Sequence, residues 1–210
     1  MNRNPESLKI FQLKVSLQEA QPPIWRRFEV PATLTLDRLH DVIQIVMGWQ
    51  DYHLHRFCIG ERCFTEYFGG ELERMEHEED ELGVRLLDVL PKEGEKFEYR
   101  YDFGDCWDHE IKVEEIKYRA PDERYCMIGI LSRLECLEGE GACPPEDVGG
   151  ITGYEWFLEA ISDPDDPEHE RYLTWCGGSF DPDLFDPNAV NLELAKYARW
   201  SRPRENCRYE

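Results

Sequence analysis

The sequence predicts an α+β fold, a single compact domain in which a mostly antiparallel sheet with hairpins packs against several helices. Three observations predict it. Several runs alternate apolar and polar residues with period two, others repeat apolar residues at helical spacing, and no linker or internal repeat interrupts the 210 residues. A chain of this length favours one domain over two. We assign residues 8–200 to that domain and residues 201–210 to a loose C-terminal tail.

The first strands and the first helix follow from residue spacing. Residues 8–17 alternate between apolar and polar side chains and predict a strand, and a second extended run covers residues 24–30. The next segment repeats apolar residues at helical spacing, which predicts an amphipathic helix. Thr35 or Asp37 can cap its start, and Gly48 lies where a left-handed residue commonly ends a helix.

Two hairpins are predicted in the middle of the chain. Residues 53–59 and 62–65 flank a Gly60-Glu61 turn, and residues 97–103 and 107–113 flank a Gly104-Asp105 turn. Period-two alternation assigns one face of each strand of the second hairpin to the buried side. Those faces carry Phe97, Tyr99, Tyr101 and Phe103 on the first strand and Trp107, His109, Ile111 and Val113 on the second.

The C-terminal part is predicted to begin with a loop and continue as helices. Glycines and prolines in residues 132–150 predict an irregular loop. A capping box at Thr152-x-x-Glu155 predicts the start of a helix that ends before Asp163-Pro164. Two more helices are predicted to start at Asp166-Pro167 and Asp186-Pro187, with Asp at the N-cap and Pro at the first helical position, and to end near Trp175 and Trp200.

The charge of the chain excludes some kinds of partner. The chain has 45 acidic and 24 basic residues, for a net charge of −21. Since a nucleic-acid backbone is held mainly by Lys and Arg, direct nucleic-acid binding is not expected. An acidic surface suits basic protein partners instead.

Location and redox state are predicted from apolar runs and cysteines. No run approaches the roughly 18–20 apolar residues that span a bilayer, and the N-terminal residues lack the apolar core of a signal peptide. The chain is therefore predicted to be cytoplasmic, with no membrane association. Its eight cysteines are predicted to be reduced and packed as small hydrophobes, including the pairs Cys58/Cys63 and Cys136/Cys143. The tryptophans are predicted to be core or half-buried residues: Trp25, Trp49, Trp107, Trp156 and Trp175.

Several segments, in this order and spacing, resemble the plasmid pRiA4b ORF-three-like family, often found as a passenger of insertion elements under the label TnpR. The segments are Pro22-Pro-Ile-Trp-Arg-Arg27; Leu39-His-Asp-Val-Ile-Gln with Met47-Gly-Trp49 and His53-Leu-His55; Tyr101-Asp-Phe-Gly-Asp105 with Trp107 and His109; and Cys143-Pro-Pro-Glu-Asp147 with Gly149-Gly150. The resemblance implies a compact α+β fold and an association with mobile elements, and it implies no activity or catalytic residue. The chain has Val148 where such proteins commonly have cysteine, and Cys106 where an acidic or small residue often follows the turn.

A candidate pocket is predicted around the second hairpin and the Pro-Pro-Glu-Asp loop. It comprises Trp49, His53, His55, Asp102, Asp105, Trp107, His109, Glu146 and Asp147. Mixed carboxylate and imidazole ligands suit Mn²⁺, Zn²⁺ or Fe²⁺, and the candidate ligands are Asp102, Asp105, His109 and Glu146. The structural alternative is that the aspartates cap turn amides and that His109 is a satisfied core residue. Because no ligand spacing matches a known motif, no cofactor is predicted, and a divalent metal stays an alternative.

Two functions from different classes fit these observations. The first is a non-catalytic binding or accessory module that serves mobile elements through protein partners. The alternative is a metal-dependent hydrolase in which a metal-bound water is the nucleophile and Glu146 is the base. The sequence leaves open whether the protein is an enzyme.

Overall fold

Eight strands and five helices make up the part of the chain that the structure, a computed structural model, describes: residues 8–66, 78–119 and 133–201. The strands are β1 (Leu8–Leu17), β2 (Trp25–Pro31), β3 (His55–Ile59), β4 (Arg62–Thr65), β5 (Glu78–Asp80), β6 (Lys96–Tyr101), β7 (Trp107–Arg119) and β8 (Glu135–Glu140). The helices are α1 (Leu36–Met47), α2 (Leu86–Val89), α3 (Gly150–Ser162), α4 (His169–Trp175) and α5 (Pro187–Trp200).

The strands form one sheet in the order β5-β4-β3-β6-β7-β1-β2-β8. Every neighbouring pair is antiparallel except β4 and β5, which are parallel. Strands β6 and β7 pair from Lys96↔Lys112 to Tyr101↔Trp107, so the second predicted hairpin is confirmed. The α+β fold with a mostly antiparallel sheet is likewise confirmed.

The core lies between the sheet and the helices. Strand β1 buries Phe11, Leu13 and Val15, and α1 buries its apolar side in the same cluster. Helix α1 starts after Thr35 and ends at Gly48, whose φ of 108° is left-handed and whose N–H donates to the Gln44 carbonyl. Both ends lie where the spacing predicts them, because a period of 3.6 residues and a C-terminal glycine are local signals. Thr35 occupies the N-cap position, but no side chain makes the predicted capping hydrogen bond there.

Strand β8 lies inside the segment that was predicted to be an irregular loop. It pairs with β2 at the edge of the sheet and buries only Cys136 fully. The Asn191 side chain accepts a hydrogen bond from the Cys136 N–H (2.7 Å) and donates one to its carbonyl (2.8 Å), so α5 covers this edge. The loop prediction is wrong for these residues because one buried position gives no period-two pattern.

Two predicted helix starts are also wrong. Helix α3 begins at Gly150, with Gly149 at the N-cap, rather than at the Thr152 capping box. Asp166 accepts a hydrogen bond from the Glu168 N–H at 2.7 Å and so closes a turn ahead of α4 instead of capping the helix. The predicted N-cap at Asp186 is confirmed, since its carboxylate accepts from the Asn188 N–H.

Some side chains predicted to be buried are exposed. The turn between β6 and β7 spans Asp102–Cys106, and Phe103 therefore lies in a loop and is 45% exposed. Trp156 is 64% exposed on α3 and Trp175 is 46% exposed on α4. Trp49 and Trp107 are buried as predicted.

Cys58 and Cys63 form a disulfide, so the prediction of reduced thiols is wrong for this pair. The two residues lie directly opposite each other in the β3–β4 register, with Cα atoms 4.1 Å apart. Among the described cysteines Cys106, Cys136, Cys143 and Cys176 are free. Burial raises the pKa of the Cys136 thiol to about 11, and Cys143 is shifted in the same direction for the same reason.

No helix within residues 8–66, 78–119 and 133–201 is long and apolar enough to cross a membrane. Helix α5 ends at Ser201, whose N–H donates to the Tyr197 carbonyl. The remainder of the predicted C-terminal tail, residues 202–210, lies outside the described residues. The single-domain assignment over residues 8–200 stays a prediction.

Candidate functional site

Two loops that the sequence singled out contact each other. The β6–β7 turn places the Asp105 carboxylate 3.0 Å from the Gly149 N–H, which donates to it at the start of α3. Gly150 lies against the same turn, because a Cβ on that residue would stand 2.5 Å from the Asp105 carbonyl oxygen. Asp105 and the paired glycines therefore hold the Pro-Pro-Glu-Asp loop on the hairpin.

The segment after α1 completes the site from a third direction. The Trp49 indole N–H donates to the Pro144 carbonyl (3.1 Å), and the Gln50 N–H donates to Glu146 Oε1 (2.9 Å). The Tyr101 hydroxyl donates to the same carboxylate oxygen at 3.1 Å and accepts from the Tyr52 N–H at 3.0 Å. Burial, together with the nearby Glu146 charge and the hydrogen bond to Glu146, raises the pKa of Tyr101 and outweighs the opposing hydrogen bond from the Tyr52 N–H, so the hydroxyl keeps its proton. Glu146 is thus fixed by two donors.

Three carboxylates converge on the imidazole of His53. Its Nε2 atom lies 3.2 Å from Asp147 Oδ1, 3.7 Å from Asp102 Oδ2 and 3.8 Å from Glu146 Oε2. The ligand atoms of His53, Asp102 and Asp147 all lie within 4.8 Å of one another. Nε2 is buried and has no hydrogen-bond partner among the described residues. We call His53, Asp102, Glu146 and Asp147 the His53 centre.

The backbone conformation orients two of these carboxylates. Asp102 and Asp147 are both left-handed, with φ of 56° and 58°. Asp102 Oδ1 accepts from the Gly104 N–H at 2.8 Å, which leaves Oδ2 directed at His53. Left-handed aspartate costs on the order of 1 kcal/mol, and such costs concentrate where a side chain must be held in place.

An aromatic layer lies beneath the His53 centre. The Trp49 ring is 4.9 Å from Tyr101, 5.9 Å from Trp107 and 5.2 Å from His109, centroid to centroid. Trp107 and His109 are fully buried. His109 Nδ1 lies 3.2 Å from the Tyr99 carbonyl, to which its N–H donates. His109 is a core residue, as the structural alternative held, since its ring packs in this layer rather than with the carboxylates. It is not fully satisfied, because its Nε2 is buried and has no hydrogen-bond partner among the described residues.

His55 belongs to a different, buried network. Its Nε2 is 2.8 Å from Glu81 Oε2, and its ring stacks on His40 at 3.5 Å. His40 contacts Asp51 and the Tyr99 hydroxyl, each at 2.8 Å, and burial lowers the pKa of His40. Glu81 was missed because it lies in an acidic stretch where nothing in the sequence distinguishes it.

The nine predicted pocket residues therefore separate into groups. The structure brings together His53, Asp102, Glu146 and Asp147; it places Asp105 at the contact between the loops and His55 in the buried network. Trp49, Trp107 and His109 form the layer beneath. Of the four candidate metal ligands, Asp102 and Glu146 stay at the centre, and His53 and Asp147 are there in addition.

Acid is expected to destabilise the protein through His109. Burial lowers the pKa of His109 to about 4 from 6.5, so the folded state disfavours the proton that the unfolded chain binds. Stability should therefore fall as pH drops from about 6.5 towards 4, by about 3 kcal/mol in all from this group. Urea unfolding at pH 7, 6 and 5 measures the slope.

The His109→Gln variant removes the titrating group. The matched control is His169→Gln, which replaces a histidine of α4. The His109 variant should show a shallower pH dependence than the wild type, and the His169 variant should keep the wild-type slope. Equal slopes in all three proteins would contradict the assignment.

The fold and the His53 centre define a class of α+β protein in which three loops bring carboxylates and one imidazole together. The chain belongs to the family described as plasmid pRiA4b ORF-3-like protein, which matches residues 9–189. This confirms the resemblance carried by the sequence motifs.

Two relatives are similar over most of their length. One is the uncharacterised protein y4hQ of Sinorhizobium fredii, 38% identical over 201 residues, which are 92% of this chain and 95% of that protein. The other is the crystal structure of MM3350, a protein of unknown function from Methanosarcina mazei Go1. It has a TM-score of 0.72 and 34% identity, covering 87% of this chain and 97% of that one. The names of both relatives state no activity.

Proposed function

We propose that this protein is a binding module whose His53 centre holds a divalent transition-metal ion. The ligands are Nε2 of His53 and one carboxylate oxygen each of Asp102 and Asp147. The observation that carries the proposal is the buried His53 Nε2, which has no hydrogen-bond partner among the described residues and faces three carboxylates. A buried nitrogen without a partner is costly, and an ion would supply that partner.

The two distances from His53 Nε2 to the carboxylate ligands suit an ion between them. Metal–nitrogen and metal–oxygen bonds of about 2.0–2.2 Å place ligand atoms roughly 3–4.4 Å apart. The His53–Asp147 and His53–Asp102 distances of 3.2 and 3.7 Å fall in that range. Imidazole with carboxylates favours Mn²⁺, Fe²⁺ or Zn²⁺ over a cation that prefers oxygen alone.

Glu146 supports this arrangement from beside the ligands. Its Oε1 accepts from Gln50 and Tyr101, while its Oε2 lies 3.8 Å from His53 Nε2. The carboxylate is therefore oriented without belonging to the tightest group of three. It can receive a proton from a molecule bound at the ion, or it can complete the ligand set.

A metal-dependent hydrolase is the second candidate function. It is favoured by the exposure of Asp147, whose side chain is 68% accessible. His53, Asp102 and Asp147 would hold the ion, and the exposed Asp147 would leave it accessible to substrate. Such an ion would supply Lewis-acid chemistry for hydrolysis, and Glu146 would hold the proton as the general base.

The proposal is tested by elemental analysis of untagged protein prepared without chelators. We expect about one equivalent of a transition metal in the wild type. His53→Gln and Asp102→Asn should each lose most of it, because the first removes the imidazole ligand and the second removes the negative charge of a carboxylate ligand. Far-ultraviolet circular dichroism and urea unfolding show whether each variant is folded.

Two further variants are the controls for that measurement. Asp105→Asn keeps an oxygen to accept from Gly149 and should retain the metal, and His169→Gln alters a remote histidine and should also retain it. Folded wild-type protein that takes up no Mn²⁺, Fe²⁺ or Zn²⁺ would overturn the proposal. So would a folded His53→Gln variant that keeps the full equivalent.

The accessory function is a proposal that concerns the partner rather than the ion. A net charge of −21 supports a basic protein partner and argues against direct nucleic-acid binding. Association with mobile elements and a cytoplasmic location stay predictions from the sequence.

A further inference from the structure

We propose that the exposed side chains of Tyr52, Leu54 and Phe103 form an apolar ledge beside the His53 centre, and that this ledge binds a basic peptide segment of a protein partner. The segment would carry lysine or arginine together with a large apolar side chain. The inference rests on the proposed binding function of the His53 centre and names the partner of that site.

The ledge is defined by exposure and by position. Tyr52 is 66%, Leu54 50% and Phe103 45% exposed. Tyr52 and Leu54 flank His53 in the chain, and Phe103 follows Asp102. The Asp102 N–H donates to the Leu54 carbonyl at 2.9 Å, which holds the two segments side by side. Large apolar side chains exposed together beside a polar centre are typical of an interaction surface.

The charge around the ledge selects the occupant. Five carboxylates lie in the segments that carry the ledge or contact them: Asp51, Asp102, Asp105, Glu146 and Asp147. A divalent ion would offset only two of these negative charges. Arg56 stacks on the Phe103 ring at 5.8 Å, but it is also paired with Glu78 at 3.2 Å. The local charge therefore stays negative, which attracts a cationic ligand and repels phosphate or an acidic peptide.

The ledge residues suit a peptide that carries both a positive charge and a large apolar side chain. Tyrosine and phenylalanine offer apolar area, and the faces of their rings attract ammonium and guanidinium groups. Tyrosine is also enriched among the residues that contribute most to protein–protein binding. A side chain such as leucine can pack on the ledge while a neighbouring lysine reaches the carboxylates.

Synthetic peptides test the proposal by calorimetric titration of the full-length, metal-supplemented protein. Three nonapeptide probes alternate Lys with Leu, Lys with Ser, and Glu with Leu. We expect the Lys/Leu peptide to bind at least tenfold more tightly than either of the others. The affinity should fall with added salt, because screening weakens attraction between exposed charges.

Variants locate the binding on the ledge. Tyr52→Ala combined with Phe103→Ala should weaken Lys/Leu binding at least tenfold, while Tyr118→Ala, which removes an equally exposed tyrosine from β7, should leave it unchanged. Equal affinity of the two alanine proteins, or of the basic and acidic peptides, would overturn the inference.

Metal content is measured on the same samples, so that the two proposals fail separately. A ledge variant that keeps its metal and loses the peptide supports both. Protein without metal that still binds the Lys/Leu peptide through the ledge would overturn the metal centre and leave the ledge standing.

Discussion

Replacing Arg26 with methionine is expected to lower the free energy of unfolding by about 3–5 kcal/mol. The Arg26 side chain is almost completely buried, and its guanidinium donates to backbone carbonyls rather than to a carboxylate. The acceptors are the carbonyls of Val46 (2.8 Å), Trp25 (2.8 Å), Glu140 (2.7 Å) and Gly141 (2.8 Å). One side chain thus ties the end of α1 to β2 and to the end of β8. Methionine fills much of the volume but leaves buried acceptors without donors.

Arg27→Met is the matched control, since Arg27 is the next residue of the same strand. Its guanidinium lies at the surface, where it pairs with Glu114 and Glu138. Partly exposed ion pairs contribute about 1 kcal/mol or less, so this variant should lose far less stability. Urea unfolding followed by tryptophan fluorescence compares the two, and equal losses would contradict the structural role assigned to Arg26.

Local signals were sufficient for much of the fold. The period of α1 and its terminal Gly48 predicted both ends of that helix, and alternation predicted the buried faces of β6 and β7. Strand β8 was not predicted because its edge position buries so few side chains that no alternating pattern is visible in the sequence. The disulfide was not predicted because the cysteines were assumed to be reduced in a cytoplasmic protein. The direct opposition of Cys58 and Cys63 in the hairpin was not considered.

The sequence indicates where the candidate site lies, but it does not indicate which of the nine predicted residues lie together there. Acidic residues beside turns marked both loops, and the structure brings Asp102 and Glu146 to one place. His53 and His109 differ in where strand pairing places them. His109 alternates with Trp107 on the buried face of β7, whereas His53 precedes β3 and turns its Nε2 to the loops. That distinction depends on strand register and loop contacts, which no local pattern encodes.

Replacing Gly150 with alanine is expected to cost about 2–4 kcal/mol of stability. Gly150 has a φ of +69°, which disfavours any side chain, and its Cβ would lie 2.5 Å from the Asp105 carbonyl oxygen. Either the α3 start or the β6–β7 turn must move. Because Asp147 and Asp102 lie on the two sides of this contact, the variant should also lose metal affinity when it is folded.

Gly83→Ala separates the two causes. Gly83 has a similar φ of +77°, but nothing lies within 4 Å of a Cβ placed there. Only the left-handed backbone is penalised at that position, at about 1–2 kcal/mol. Urea unfolding should therefore show a larger loss for Gly150→Ala, and only that variant should lose metal. Equal losses would mean that the close approach to Asp105 does not stabilise the site. A larger loss of stability at Gly150, together with a loss of metal in that variant alone, would show that the spacing of the carboxylates depends on a backbone contact that only glycine permits.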